Sequence, residues 1–141
     1  MASDDREELG RLVDALAQSA FVTMRVVTRI GAGHDLSLTQ VRLLAILRDR
    51  RVRMSELGDH LGLEKSTITG LISRAEARGL VQRTPSSTDG RAVDVLLSDD
   101  GKRLADELTA TMNDSFTPMA RALTQPERVQ LRMLLQRIMH I

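Results

Sequence analysis

One short stretch constrains the fold of this chain more than any other. Two runs rich in β-branched residues, LVQRT and AVDVLLS, lie on either side of the polar segment from Pro85 to Gly90. Such runs around a turn bounded by proline and glycine predict an antiparallel β-hairpin. Most other segments have apolar residues at spacings of three and four, which is typical of amphipathic helices. The sequence therefore predicts a mainly α fold with one small β-ribbon.

Two short helices are predicted immediately before the hairpin. The segment MSELGDHL supports two or three helical turns, and Gly62 after it favours a tight turn. The next segment, LEKSTITGLISRAEARG, predicts a helix over about 64–78 that ends at Gly79. Two short helices followed by a ribbon are the order of a winged helix-turn-helix, in which the second helix enters the major groove of DNA.

The second of these helices has two unlike sides. At 100° per residue its apolar residues share one side, and they are Ile68, Leu71, Ile72 and Ala75. The opposite side carries Ser66, Gly70, Ser73 and Ala77, flanked by Thr67, Thr69 and Arg74. Ser, Thr and Gly are poor helix formers, but they allow close approach to a groove, and the hydroxyls can bind bases and phosphates. The DNA-binding candidates on this helix are Lys65, Ser66, Thr67, Thr69, Gly70, Ser73 and Arg74. The alternative is that this side packs against another part of the protein.

The turn of the hairpin, predicted over 84–92, is polar and long enough to extend beyond the domain. Arg91 can enter a minor groove, because the negative potential there attracts arginine, and Asp89 two residues earlier can orient it. Arg83 lies on the other strand. Taken alone, Asp89 and Arg91 would be a surface pair that stabilises the hairpin. Beside a helix-turn-helix, all three are predicted to bind DNA.

The N-terminal segment predicts a long helix over about 5–30, ended by Gly31 and Gly33. A second helix begins after Ser37, which can form a capping box with Gln40, and continues to about Arg48.

The C-terminal segment predicts two more helices. Ser98 is placed to cap the first, and Pro118 should kink or break it, because proline removes a backbone hydrogen bond. The second opens with Thr124 and Glu127 as a capping box. The apolar stripes of the first and last helices are too large for one chain to cover. We therefore expect a single domain, 1–141, with dimerisation helices at about 1–36 and 99–141 around a winged helix-turn-helix at about 37–98.

Charge and composition restrict the function. Residues 42–91 hold ten basic and six acidic residues, whereas residues 1–41 hold four basic and six acidic, and residues 92–141 six basic and seven acidic. A basic centre between acidic arms favours binding of a polyanion. The arginines at 48, 50, 51 and 53 can contact phosphates or simply be solvated.

Other functions find little support in the residues. The chain has no cysteine, which excludes disulfides and thiolate chemistry and favours an intracellular location. The acidic N-terminus and the lack of a long apolar run predict a soluble, cytoplasmic protein without membrane association. Its three histidines lie on different segments, and no nucleotide loop or nucleophile motif is present. We therefore expect no enzyme, no catalytic or metal site and no cofactor.

The segment from Ser55 to Gly101 resembles the DNA-binding core of the MarR (multiple antibiotic resistance regulator) family. The shared features are the small polar recognition helix, GLVQR from Gly79, DGR at the wing tip ending at Arg91, and VLLSDDG. The chain departs from the family pattern at Arg53 and Glu64, where Ser or Thr usually caps each short helix. A third departure is Gly70, where a large residue is usual.

The resemblance implies a bacterial homodimer that binds double-stranded DNA at a pseudo-palindromic operator, with half-sites about 34 Å apart. It further implies a repressor released by a small aromatic or anionic effector, bound between the helical region and the winged domain. The alternative is a dimeric helical protein-interaction module that does not bind DNA.

Overall fold

The computed structural model describes residues 2–140, which form six helices and three short strands. In chain order the elements are α1 (Ala2–Ala32), α2 (Leu38–Leu47), β1 (Val52–Arg53), α3 (Met54–Leu61), α4 (Lys65–Ala77), β2 (Val81–Pro85), β3 (Val93–Leu97), α5 (Asp99–Ala120) and α6 (Gln125–Met139). The predicted order of helices and hairpin is confirmed.

The sheet has three antiparallel strands in the order β1-β3-β2. The predicted hairpin is formed by β2 and β3, with Val81 opposite Leu97 and Pro85 opposite Val93. The expectation of two strands was wrong, because β1 pairs Val52 with Val95 on the outer edge of β3. A strand of two residues is too short to show alternation, and this one follows a run of arginines.

The core lies between α2, α3, α4 and the sheet. Val95, Leu57 and Ile72 are fully buried at its centre. All four apolar residues predicted for the inner side of α4 are 3% exposed or less. The predicted apolar, inner side of α4 is therefore confirmed.

The turn between α1 and α2 differs from the prediction. The capping box is confirmed, since Ser37 Oγ accepts from the Gln40 N–H at 3.2 Å and the Ser37 N–H donates to Gln40 Oε1 at 2.8 Å. However, α1 continues through Gly31, and the left-handed residue is Asp35, with φ 54°. Gly31 is required for packing instead, because a Cβ there would lie 2.8 Å from the carbonyl oxygen of Leu36.

The last two helices begin as predicted. Ser98 Oγ accepts from the Gly101 N–H at 3.0 Å, and the Thr124 N–H donates to Glu127 Oε2 at 2.7 Å. Pro118 does not divide α5, which ends two residues later at Ala120. The proline therefore lies in the last turn, so the one backbone hydrogen bond that it cannot donate is lost without interrupting the rest of the helix.

A large apolar surface is left exposed on α1, the end of α5 and α6. The exposed side chains are Leu9, Leu12, Val13, Phe21, Met24, Met119, Val129, Leu131, Met133, Leu134, Ile138 and Met139. Within residues 2–140, no helix combines the length and the hydrophobicity needed to cross a membrane.

Candidate nucleic-acid interface

The helix-turn-helix is built by α3 and α4 around two left-handed glycines. Gly62 has φ 65° and ends α3, and Gly79 has φ 73° and follows α4. Glycine adopts this conformation without the steric cost that a side chain would add. The two glycines thus set the angle of α3 to α4 and the entry of the chain into β2.

None of the seven DNA-binding candidates on α4 is buried. Lys65, Ser66, Thr67, Thr69, Ser73 and Arg74 are exposed, and Gly70 is partly exposed. The structure therefore places small polar groups, one lysine and one arginine along a solvent-facing side of α4. These side chains are accessible to solvent, although Ser73 accepts a hydrogen bond from Arg83 on β2. Their exposure disfavours the alternative that this side of α4 is packed inside the protein.

The guanidinium of Arg74 lies over Gly70. A Cβ built on Gly70 would be 3.1 Å from Arg74 Nη1, so the side chain folds into the space that a larger residue would take. The cation thus lies close to the backbone at the middle of α4. Because the end of the Arg74 side chain is flexible, a larger residue at position 70 would displace it by a small movement.

Arg83 joins the hairpin to α4. Its Nη2 donates to Ser73 Oγ at 2.8 Å, and its Nε lies 3.5 Å from Glu76 Oε1. Arg83 and Ser73, both predicted to bind DNA, therefore also bind each other. A guanidinium has five N–H groups, so Arg83 still has donors available for other partners.

The tip of the wing is ordered by Asp89. Its Oδ1 accepts from the backbone N–H of Arg91 at 3.0 Å, and its carbonyl oxygen accepts from the Ala92 N–H at 3.0 Å. The predicted orientation of Arg91 by Asp89 thus acts on the backbone and not on the guanidinium. Among residues 2–140, the Arg91 side chain takes part in no ion pair, and it is exposed.

Arginines of the segment between α2 and α3 contact other parts of the protein. Arg48 donates to Thr109 Oγ1 at 3.1 Å, and Arg51 lies 3.4 Å from the largely buried carboxylate of Asp94. Arg53 reaches the hairpin, as described below. These contacts bind the edge of the winged domain to α5 and to the sheet, and sequence reasoning did not predict them.

A further contact missed from the sequence joins α4 to the turn before α2. The guanidinium of Arg78, at the C-terminal end of α4, donates to the carbonyl oxygens of Asp35 at 2.8 Å and His34 at 3.1 Å. Arg78 thereby fixes the end of α4 relative to α1. The described residues contain no group of three or more His, Asp or Glu side chains that could hold a metal ion.

Comparison with known proteins identifies the same arrangement. Residues 34–92 match the model of the MarR family. Among curated proteins, the uncharacterised HTH-type transcriptional regulator YfiV of Bacillus subtilis is 32% identical over 89 residues, covering 57% of this chain and 56% of that protein. The HTH-type transcriptional regulator PecS of Dickeya dadantii is 26% identical over 135 residues, covering 90% of this chain and 79% of PecS. The chain thus spans little more than half of the first relative.

Solved structures share the fold across nearly the whole chain. NadR in complex with 4-hydroxyphenylacetate has a TM-score of 0.77 and 22% identity, covering 88% of this chain and 89% of NadR. A mutant MarR from Escherichia coli complexed with operator DNA has a TM-score of 0.68 and 24% identity, covering 93% of each chain. These likenesses establish the winged-helix fold, including the long flanking helices.

Proposed function

We propose that this chain is a MarR-family regulator of transcription that binds double-stranded DNA in a sequence-specific way, because residues 34–92 match the family model and the relative PecS is an HTH-type transcriptional regulator. The observation that carries the proposal is the exposed, small polar side of α4, with Arg74 on it and the exposed Arg91 on the adjoining wing. Such a helix and ribbon fit the major and minor grooves of one DNA segment.

In this proposal, α4 lies in the major groove. The serine and threonine hydroxyls contact phosphates and base edges, and Lys65 contacts a phosphate. Arg74 is the candidate for pairing with guanine, because its forked donors match the two acceptors that guanine presents there. Gly70 lets the backbone and the folded Arg74 approach the groove floor together.

The wing, residues 84–92, enters the adjacent minor groove. Arg91 extends from a turn fixed by Asp89, and the narrow minor groove attracts an arginine by its negative potential. Asp89 therefore acts by shaping the turn. Arg83 holds the wing against α4, so that the contacts in the two grooves keep a fixed distance.

The active form in this proposal is a homodimer. A groove of about 480 Å³ between α5 and α6 has an apolar wall formed by Phe116, Met119, Leu123, Leu131, Leu135 and Met139. No residue of α6 is buried in the single chain. Monomers rarely expose an apolar surface of this extent, and the helices of a second copy have the apolar stripes to cover it. A twofold dimer would bind half-sites about 34 Å apart in a pseudo-palindromic operator.

We assign repression, relieved by a small aromatic or anionic effector, as the regulatory mode. Support comes from NadR, which shares the fold and was solved with 4-hydroxyphenylacetate. In this chain α1 and α5 pack against each other and against α2, the first helix of the winged domain. A ligand between these helices would act on α4 through the contact of Arg78 with the α1–α2 turn.

The proposal is tested by measuring affinity for duplex DNA against salt concentration, with the number of chains per duplex from sedimentation. We expect two chains per operator and a steep fall in affinity with salt, because phosphate contacts release counterions. A folded dimer without measurable DNA binding would instead support the protein-interaction module.

A further inference from the structure

Arg53 occupies the N-cap position of α3 without capping it. Its backbone is extended, with φ −60° and ψ 135°, and its side chain makes no hydrogen bond to the first turn. Residues at this position usually have short polar side chains that accept from the exposed N–H groups of the helix. Arginine has no acceptor atom, so the side chain at this position serves something other than the helix end.

The guanidinium of Arg53 instead reaches the turn of the wing. Its Nη2 donates to Thr88 Oγ1 at 2.9 Å and lies 3.3 Å from Ser86 Oγ. The two hydroxyl oxygens are 3.1 Å apart and share a hydrogen bond. One nitrogen atom thus ties the start of α3 to two residues that are 33 and 35 positions later in the chain.

These two hydroxyls belong to the segment that carries Arg91. The N–H of Ser86 donates to the carbonyl oxygen of Ala92 at 2.9 Å, which closes the turn, and Ser86 is 8% exposed. Thr88 is followed directly by Asp89, whose carboxylate accepts from the Arg91 N–H. Hydrogen bonds therefore lead from Arg53 through Ser86 and Thr88 into the turn that presents Arg91.

We propose that Arg53 is a positioning residue for DNA binding, which orders the wing before DNA arrives. The inference rests on the proposed function of the wing as a minor-groove element. A polar turn without such a tether samples many conformations, and binding must then order it at an entropic cost. Arg53 reduces this cost while its own guanidinium stays on the wing turn and contacts no DNA.

The variant Arg53→Thr separates this role from a purely structural one. Threonine removes the tether but is a favourable N-cap for α3. The proposal predicts an unchanged or higher midpoint of unfolding together with roughly three- to tenfold weaker DNA binding, the range expected when a side chain must be ordered on binding. A lower midpoint with unchanged affinity would overturn the proposal.

Thr88→Val distinguishes a tether from a direct phosphate contact by Arg53. This variant removes an acceptor of Arg53 and leaves every charge in place. It should weaken binding about as much as Arg53→Thr, with little further loss when both changes are combined. Full affinity in Thr88→Val together with weak binding in Arg53→Thr would show that Arg53 binds DNA itself, and would overturn the proposal. Arg103→Thr is the matched control, because Arg103 is exposed on α5 and pairs with Asp100, and it should change affinity by less than about twofold.

Hydrogen exchange on the free protein tests the tether without DNA. In Arg53→Thr the amides of residues 87–91 should exchange faster than in the wild type, and in Arg103→Thr they should not. Equal exchange in all three proteins would overturn the inference whether or not the chain binds DNA. If the wild-type dimer binds no duplex, the proposed function fails separately.

Discussion

Arg83 on β2 donates to Ser73 Oγ on α4 at 2.8 Å, and its Nε lies 3.5 Å from the carboxylate of Glu76 one turn later. The hairpin and α4 are thereby joined at the surface as well as through the core. This junction fixes the distance between the hairpin and α4, the two elements proposed to enter neighbouring grooves of DNA. A planar guanidinium suits this junction, because it donates in two directions at once.

Arg83→Lys should weaken DNA binding severalfold although it keeps the charge. An ammonium cannot contact Ser73 and Glu76 with the same geometry, so the wing and α4 lose their fixed separation. Because the Arg83 side chain is about one-third exposed, the free energy of unfolding should change by less than about 1 kcal/mol. Titration of a fluorescent duplex and urea denaturation measure the two quantities. Equal affinity would show that Arg83 contributes charge alone.

Arg91→Ala should weaken DNA binding by at least about tenfold and leave dimerisation unchanged. The loss of one phosphate or minor-groove contact also reduces the slope of log affinity against log salt by roughly one. Arg103→Ala is the matched control, because Arg103 is highly exposed on α5 and pairs with Asp100. If the two variants bind equally well, the wing does not contact DNA.

Gly101→Ala should destabilise the fold by at least about 2 kcal/mol, because an added methyl group would overlap the core. A Cβ there would lie 2.0 Å from the carbonyl oxygen of Leu80, which is backbone and cannot move aside. Gly10→Ala is the control, since nothing lies within 4 Å of its Cβ position on α1. That change should stabilise the helix by roughly 0.5–1 kcal/mol. Thermal unfolding of both variants tests whether the unfolding midpoint falls in Gly101→Ala and rises in Gly10→Ala.

Acidification should weaken the start of α6. Hydrogen bonds from the Thr124 N–H and hydroxyl hold the pKa of Glu127 below its usual value of 4.5. A carboxyl whose pKa is lower in the folded state stabilises the fold above its unfolded pKa, and this contribution is lost as the pH falls through the folded pKa. Glu127→Gln keeps an acceptor oxygen but does not titrate. Its stability should therefore fall less than that of the wild type between pH 5 and pH 3, as measured by denaturation at each pH.

Leu131→Glu should convert the dimer to a monomer at micromolar concentration. Leu131 is 45% exposed in the single chain and lines the groove between α5 and α6, where a buried carboxylate without a partner would be costly. Gln82→Glu adds the same charge at an exposed position of β2, away from α5 and α6, and should leave the dimer intact. Sedimentation equilibrium measures both. A wild-type monomer, or a dimeric Leu131→Glu, would contradict the proposed interface.

The sequence predicted best those features that depend on local periodicity. The apolar side of α4, the capping boxes at Ser37 and Thr124 and the glycine at position 79 each follow from spacing or backbone preference within a few residues. The sequence did not predict β1, because a strand of two residues is too short to show the alternation of apolar and polar residues. The end of α1 was misplaced because Gly31 is required by packing against Leu36, which the sequence does not show.

The candidate DNA-binding surface was predicted in its residues but not in its internal contacts. All ten candidates lie on α4 or the hairpin, and their part in DNA binding remains a prediction. The roles of Arg53, Arg78 and Arg83 depend on partners 35, 43 and 10 positions away. An arginine in a sequence shows its charge, whereas the partner that it finds is set by the tertiary fold.

The central claim, that this chain reads a DNA sequence as a dimer, is tested most directly by selecting bound duplexes from a random pool with the folded, ligand-free protein. We predict enrichment of a pseudo-palindrome whose half-sites are about ten base pairs apart, one helical turn of DNA. The winning duplex should lose affinity steeply as salt is raised. A pool that shows no enriched sequence after repeated rounds would contradict the account and favour a helical protein-interaction module.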